Sequence, residues 1–116
     1  MEAKELKLGN FVKLIHGEKP FNVVLSINEE YISVDEITFD YTERIEVEPI
    51  EITKDWLLKF GFKRSENDSW FDKDFISISK SNNVSIFLKE WFKLDVKIKY
   101  VHELQNLYFA LTKKEL

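Results

Sequence analysis

The stretch KYVHELQNLYFALT, residues 99–112, decides how the closing part of this chain folds. At about 100° per residue, six apolar side chains share one face of a predicted helix: Tyr100, Val101, Leu104, Leu107, Tyr108 and Leu111. Phe109 projects to the far side, close to His102 and Gln105. The helix is therefore expected to contact two surfaces. One is its own sheet, and His102, Gln105 and Phe109 meet either another lobe of the chain, a protein partner or a second copy.

The amino-acid composition indicates a folded protein and excludes several kinds of site. The 116 residues are 44% hydrophobic and 15% aromatic, which is enough apolar area for a folded core. The chain has no Cys, so a disulfide or a Cys-ligated metal is excluded. Its amino terminus lacks the apolar run of a signal peptide, and the longest apolar run, residues 107–111, is too short to span a bilayer. These features predict a soluble, cytoplasmic protein without a membrane partner.

The spacing of turn and helix signals divides the chain near residue 50. Pro49 interrupts strand pairing and Thr53 offers a helix N-cap, so the pattern changes between residues 48 and 53. Residues 1–50 read as five short strands and predict a small all-β lobe, an SH3-like barrel or curled sheet. In the last strand Ile45 and Val47 are expected on one face and the charged residues 44, 46 and 48 on the other. Residues 51–116 predict an α+β lobe with a helix that begins after Thr53 and ends at Gly61, four to five antiparallel strands and the closing helix. The strands are expected at about 62–65, 69–73, 75–80, 84–91 and 96–98, and in the third of them Ser77 is expected to face water. The predicted fold class is α+β.

None of the motifs for catalysis or metal binding is complete in this sequence. His102-Glu103 lacks the second His that a zinc-protease helix needs one turn later, because that position is Asn106. Ser77 and Lys80 have the spacing of penicillin-binding enzymes but fall in a predicted strand, where they point to opposite faces. Asp72 and Asp74 can share a strand face, but without a pocket or further ligands such a pair is usually a solvated edge or turn. The sequence predicts a protein that is not an enzyme, with no catalytic residue, cofactor or metal.

Nucleic acid is the alternative partner. Lysines alternate with aromatic residues in one stretch, as in surfaces that grip a single strand by phosphate contact and base stacking: Lys89, Trp91, Phe92, Lys93, Lys97, Lys99 and Tyr100. Glu90 and Asp95 interrupt this run, and the whole chain has a net charge of −4. We therefore place a nucleic-acid face on Lys89, Trp91, Lys93, Lys97 and Lys99 second to a protein-interaction face on His102, Gln105 and Phe109.

Three segments carry a resemblance to a known group of proteins: LGNFV at residues 8–12, WLLKFGF at 56–62 and the closing stretch at 100–112. They resemble short uncharacterised proteins of gut Bacteroidetes genomes and their prophages, and the likeness runs nearly end to end. The resemblance implies a small intracellular accessory protein of phage or mobile-element origin. That group carries no known function, so no residue here inherits a role from it. A non-enzymatic interaction or adaptor module is the predicted function.

Overall fold

The computed structural model describes residues 1–41, 44–66, 69–87 and 90–116, with the main chain alone at Trp91 and Asp95. Over these residues the chain is a mostly-β, α+β protein with two five-stranded antiparallel sheets and two α-helices. It forms two compact units. Unit 1 comprises Met1–Glu51 together with Tyr100–Leu116, and unit 2 comprises Ile52–Lys99.

Unit 1 contains the first sheet, with strand order β4-β3-β2-β1-β5. Its strands are β1 Phe11–Leu14, β2 Asn22–Ile27, β3 Tyr31–Val34, β4 Ile37–Asp40 and β5 Val47–Glu48, and a 3₁₀ turn at Ala3–Glu5 precedes them. Because β5 pairs with the free edge of β1, Leu14 lies opposite Val47. The predicted alternation is confirmed in the last strand region, where Ile45 and Val47 are buried while Arg44, Glu46 and Glu48 are exposed.

Two polar side chains connect the first three strand segments of unit 1. The buried Asn22 accepts a hydrogen bond from the Leu14 amide at 3.0 Å and donates to the Asp35 carboxylate at 2.6 Å. Asp35 also accepts from the Val23 amide at 3.1 Å, and the ammonium group of Lys19 lies 3.5 Å away. Asp35 occupies the left-handed region, with φ of 51°, which Asp and Asn tolerate better than most residues.

Unit 2 begins with helix α1, Lys54–Lys59, whose predicted ends are confirmed. Thr53 caps it, since its hydroxyl oxygen accepts from the Trp56 amide at 3.3 Å. Gly61, with φ of 90°, ends it in the left-handed conformation that glycine adopts without strain. The Phe62 amide then donates to the Leu57 carbonyl at 3.0 Å, and both side chains are buried.

The second sheet has strand order β10-β9-β8-β7-β6. Its strands are β6 Lys63–Arg64, β7 Trp70–Lys73, β8 Ile76–Ser79, β9 Asn83–Phe87 and β10 Trp91–Lys97. The sequence predicted one strand over 84–91 and another over 96–98. In the structure β9 ends at Phe87 and β10 starts at Trp91, with a register shift between Lys93 and Lys97. Apolar and aromatic residues run through this stretch, so their pattern did not mark where β9 ends.

The two faces of the second sheet differ in composition. One face contributes buried apolar side chains: Phe71, Ile76, Ile78 and Val84. Lys73, on the same side as Phe71, donates to the Phe60 carbonyl at 2.6 Å, which places the end of α1 over this face. The opposite face carries Ser77 and Ser85, which pair across β8 and β9. The sequence predicted that Ser77 faces water, yet these serines are only 4% and 7% exposed.

Helix α2, Val101–Thr112, belongs to unit 1. On its predicted apolar face Val101, Leu104 and Tyr108 are buried. The sequence assigned this helix to the lobe of residues 51–116, whereas the structure groups it with residues 1–51. Unit 2 is thus inserted into unit 1, and Glu51 bridges Tyr100 where the chain leaves and returns. Within the described ranges, neither helix is long and apolar enough to cross a bilayer.

Asp35→Asn tests the polar link between the strands of unit 1. Hydrogen bonds from Asn22 and the Val23 amide lower the pKa of Asp35 below its ordinary 3.8. The unfolded chain therefore takes up this proton first, so the stabilisation is complete above about pH 4 and is lost as the pH falls below it. We expect Asp35→Asn, which keeps the left-handed backbone, to lower the free energy of unfolding at pH 7. Urea titrations should show this deficit shrinking below pH 4, and a deficit independent of pH would contradict the assignment.

Candidate functional site

The outer face of α2 is attached to β1 through the side-chain amide of Gln105. Its Oε1 accepts from the Phe11 amide at 2.8 Å, and its Nε2 donates to the Gly9 carbonyl at 3.0 Å. Gln105 is buried and both hydrogen bonds are partly buried, so they are shielded from much of the solvent. One side chain thereby satisfies two main-chain groups that lie outside the β1–β2 ladder.

A second amide pair extends this attachment by one residue on each element. Asn10 Nδ2 donates to Asn106 Oδ1 at 2.9 Å, and Asn10 Oδ1 accepts from the Lys7 amide at 2.8 Å. Gly9 has a φ of 83°, which turns the chain so that its carbonyl reaches Gln105. The segment at residues 8–12 and the closing helix, both conspicuous in the sequence, are therefore direct partners in the fold.

The three residues of the predicted interaction face have different environments. Gln105 and His102 are buried within unit 1, at 7% and 6% exposure, and only Phe109 is open to solvent, at 43%. The sequence placed them together because they share a helix face. The amide contacts of Gln105 take that residue into the interior, so Phe109 is the member of this predicted face that remains exposed.

Phe109 borders an open groove of about 370 Å³ in unit 1, which we call the α2 groove. The groove is lined by Leu6, Lys7, Leu8, Asn10, Ile27, Gln105, Asn106, Phe109 and Glu115. Leu8 is 59% exposed and, with Phe109, forms its apolar border. The ammonium group of Lys113 lies 6.0 Å from the centre of the Phe109 ring. The groove combines apolar walls with an amide floor.

His102 is a buried histidine beside a second cavity of unit 1, of about 600 Å³. Its ring stacks on Tyr100 with 5.9 Å between centroids, and its Nδ1 is buried without a hydrogen-bond partner. Burial lowers the pKa of His102 below its ordinary 6.5, and the carboxylates of Glu103 and Glu5 oppose this shift. Among the described residues, no group of three His, Cys, Asp or Glu side chains is placed to hold a metal ion.

The polar face of the second sheet contains one row of residues that crosses all five strands. Lys63 pairs with Asp72, Asp72 with Ser77, Ser77 with Ser85 and Ser85 with Lys93. Residues paired directly across antiparallel strands share a face. The row thus places two small hydroxyl groups at the centre of the sheet, an acidic group beside them and a lysine at each end.

A cavity of about 360 Å³, which we call the serine trough, lies over the centre of this row. Its lining residues are Ser65, Trp70, Asp72, Ser77 and Ser85. Trp70 is 39% exposed at one side of the trough. Among the described residues, neither the two central hydroxyls nor the Asp72 carboxylate has a hydrogen-bond partner. These groups are therefore available to a ligand.

The predicted nucleic-acid residues fall partly on the same face. Lys93 pairs with Ser85 and Lys97 with Asn83, so both lie on the side of the serine trough. Lys99 is exposed beyond the end of β10. Trp91 pairs with Phe87 through its main chain, whereas its side chain and the whole of Lys89 lie outside the described residues.

Sequence reasoning missed the trough itself. It treated Ser77 as a solvated strand residue and Asp72 as an edge carboxylate, and it left Trp70 and Ser85 without a role. The available signal was the recurrence of small polar residues at alternate positions of β8 and β9, because such residues leave space on a sheet face. Only the register between strands places them in one row.

Comparison with known proteins gives no significant match to a protein-family model, a curated protein or a solved structure. The resemblance to short Bacteroidetes and prophage proteins stays a prediction.

Replacing Gln105 with Met tests the attachment of α2. Met has similar length but no amide, so the Phe11 amide and the Gly9 carbonyl lose their partner. An unsatisfied buried group costs about 1–3 kcal/mol, and we expect a loss of at least that size in the free energy of unfolding. Gln105→Glu keeps the acceptor for Phe11 and faces the Gly9 carbonyl with a carboxylate, so it should also destabilise the protein. If urea titration shows both variants to be as stable as the wild type, the attachment is unimportant.

His102→Phe tests the burial of the imidazole. Because the folded protein resists protonation of His102, the unfolded chain takes up that proton first as the pH falls below about 6.5. The free energy of unfolding of the wild type should therefore decrease from pH 7 to pH 5. Phe preserves the stacking on Tyr100 and removes the titration, so the decrease should be smaller in the variant. An identical pH dependence in both proteins would show that His102 is not the group responsible.

Proposed function

We propose that this protein is a non-enzymatic interaction module that binds a protein partner through the α2 groove. The observation that carries the proposal is the exposure of Leu8 and Phe109 at the border of a concave surface. Exposed apolar side chains that border a groove are typical of protein-binding sites. A buried aromatic anchor often supplies a large share of binding energy, and Phe109 is placed to act as one.

The chemistry of the groove favours an apolar peptide segment as the partner. Leu6, Leu8, Ile27 and Phe109 offer contacts for an aliphatic or aromatic side chain. Asn106 uses its Oδ1 to accept from Asn10, which leaves its Nδ2 group to donate to a partner carbonyl. Lys7 and Glu115 border the groove with opposite charges, so no net charge selects the partner. We infer recognition by side-chain packing together with one hydrogen bond to the partner's main chain.

We also propose an SH3-like fold for the lobe of residues 1–50 and a cellular setting and origin for the protein. The β4-β3-β2-β1-β5 order, in which the last strand returns to the first, supports an SH3-like reading of the residues 1–50 lobe. The lowered pKa of Asp35 follows from the hydrogen bonds that connect the strands, which gives it a structural role. We propose that the chain is a cytoplasmic accessory protein of phage or mobile-element origin.

The second candidate function is binding of single-stranded nucleic acid. It is favoured by the common face of Lys93, Lys97 and the serine trough. Unit 2 carries ten Lys and Arg against seven Asp and Glu, a charge of +3, within a chain whose net charge is −4. This candidate uses a different unit from the α2 groove, so each can be tested separately.

Phe109→Asp tests the α2 groove. Phe109 is 43% exposed, so we expect the variant to keep a thermal midpoint close to that of the wild type. Selection from a displayed library of random peptides should enrich sequences with apolar anchors on the wild-type protein. Their affinity, measured by calorimetry, should fall at least tenfold for Phe109→Asp, since an anchor residue is worth about 2 kcal/mol or more.

Ile37→Asp is the matched control. Ile37 is 47% exposed on β4 and does not line the groove, so the same change in charge should leave peptide affinity unaltered. Equal losses in both variants would contradict the site. Sedimentation of the wild type distinguishes a second copy from a different protein: a dimer that Phe109→Asp dissociates would make self-association the function of the groove.

A further inference from the structure

We propose that the sheet face of unit 2 binds single-stranded nucleic acid, with one base stacked on Trp70 above the serine trough. The proposal rests on the second candidate function and deepens it, and it is independent of the α2 groove. It adds Trp70, Asp72, Ser77 and Ser85 to the lysines that the sequence indicated, and it states where a base is bound.

The shape of the face fits a flat ring. Ser77 and Ser85 are the smallest side chains of the central row, and they form the floor of the trough. Trp70 at one side is partly exposed and presents an aromatic surface. Phe87 lies on the same face as Ser85 and is 42% exposed, so a second aromatic ring is found at the opposite corner. Successive bases of a single strand stack on such rings whatever their sequence.

The polar groups of the trough match the edge of a base. The hydroxyls of Ser77 and Ser85 both donate and accept, and the Asp72 carboxylate accepts from ring or exocyclic N–H groups. Among the described residues these groups have no protein partner. Over the part of the chain that the structure describes, only His102 has a fully buried side-chain polar atom without a partner, so the unpaired hydroxyl oxygens of Ser77 and Ser85 are open to solvent in the trough. The edge of a base in the trough can take the place of that solvent.

The charges around the trough suit a phosphate backbone. Lys63 and Lys93 are the two exposed ends of the row, and Lys97 follows on the same side of β10. Asp72 alone would repel phosphate, but it pairs directly with Lys63, and its carboxylate lines the trough where it is placed to read a base. Lysines on the path of the backbone supply the salt-dependent part of the affinity.

Fluorescence anisotropy with a labelled thymidine oligonucleotide of about 15 nucleotides tests the proposal. We expect the wild-type protein to bind it and to bind an abasic oligomer of equal charge much more weakly. Trp70→Leu should weaken binding between about 5-fold and 150-fold, the range measured for the loss of one stacked base. Ser85→Val keeps strand propensity and narrows the trough, so it should weaken binding while the thermal midpoint is retained.

The salt dependence gives a second, independent readout. Replacing Lys93 and Lys97 together with Gln should reduce the slope of log K against log salt by about 1.4, since each phosphate contact of a single strand contributes about 0.7. The matched control is Lys54→Gln with Lys80→Gln, two lysines at a different cavity of unit 2. The control changes the net charge equally and should leave the slope unaltered.

Three results would overturn the proposal. The first is no binding by the wild type at 50 mM salt, and the second is equal affinity for the abasic oligomer. The third is an equal change of slope in the Lys93 and Lys97 variant and its control, which would indicate attraction by net charge alone. Because Trp70→Leu alters the side of the trough and Ser85→Val alters its floor, a folding failure of one leaves the other as the test.

Discussion

The hydrogen bonds of the Gln105 amide are the interaction on which unit 1 depends. They join main-chain groups at the start of β1 to a side chain about a hundred residues later, and they span the whole insertion of unit 2. Ordering so distant a contact is costly in chain entropy, so it persists only where the groups are well satisfied. Here the donor, the acceptor and the neighbouring Asn10–Asn106 pair are all satisfied together. The closing helix α2 is therefore an integral part of unit 1, together with the amino-terminal sheet.

Unit 1 uses buried amides as connectors at two places. Gln105 ties a helix to a strand, and Asn22 ties β1 to the turn that holds Asp35. In each case a side chain supplies hydrogen bonds that the strand ladder cannot. Because these hydrogen bonds replace those lost with water, the buried polar residue adds to the specificity of the fold without a desolvation penalty. His102 is the exception, since its Nδ1 has no partner and its charged form is disfavoured.

The polar side chains of unit 2 differ from those of unit 1 in their hydrogen-bond partners. Its apolar face contains Ile76, Ile78 and Val84, fully buried, whereas the opposite face places Ser77 and Ser85 in a trough without partners among the described residues. The amides of unit 1 use their hydrogen bonds to stabilise the fold. The hydroxyls of the trough keep hydrogen-bonding capacity that the proposed ligand would use. The contrast separates the role of Gln105, which we regard as structural, from the role proposed for the trough.

The sequence by itself determined the local elements of this protein. Strand alternation located β1 to β5, Thr53 and Gly61 marked the ends of α1, and the apolar face of residues 100–111 predicted α2. These signals arise between residues two to four positions apart, so they are visible in a single chain.

Only the tertiary structure decided which surfaces those elements share. The attachment of Gln105 to Phe11 and Gly9 depends on residues 94 and 96 positions apart, and it moved α2 from the predicted second lobe to unit 1. It also left Phe109 as the one exposed member of the predicted face. The burial of Ser77 and Ser85 followed from strand register, which places them in one row. Hydrogen bonds between distant side chains and pairings between strands leave no local period, and for that physical reason composition and spacing did not reveal them.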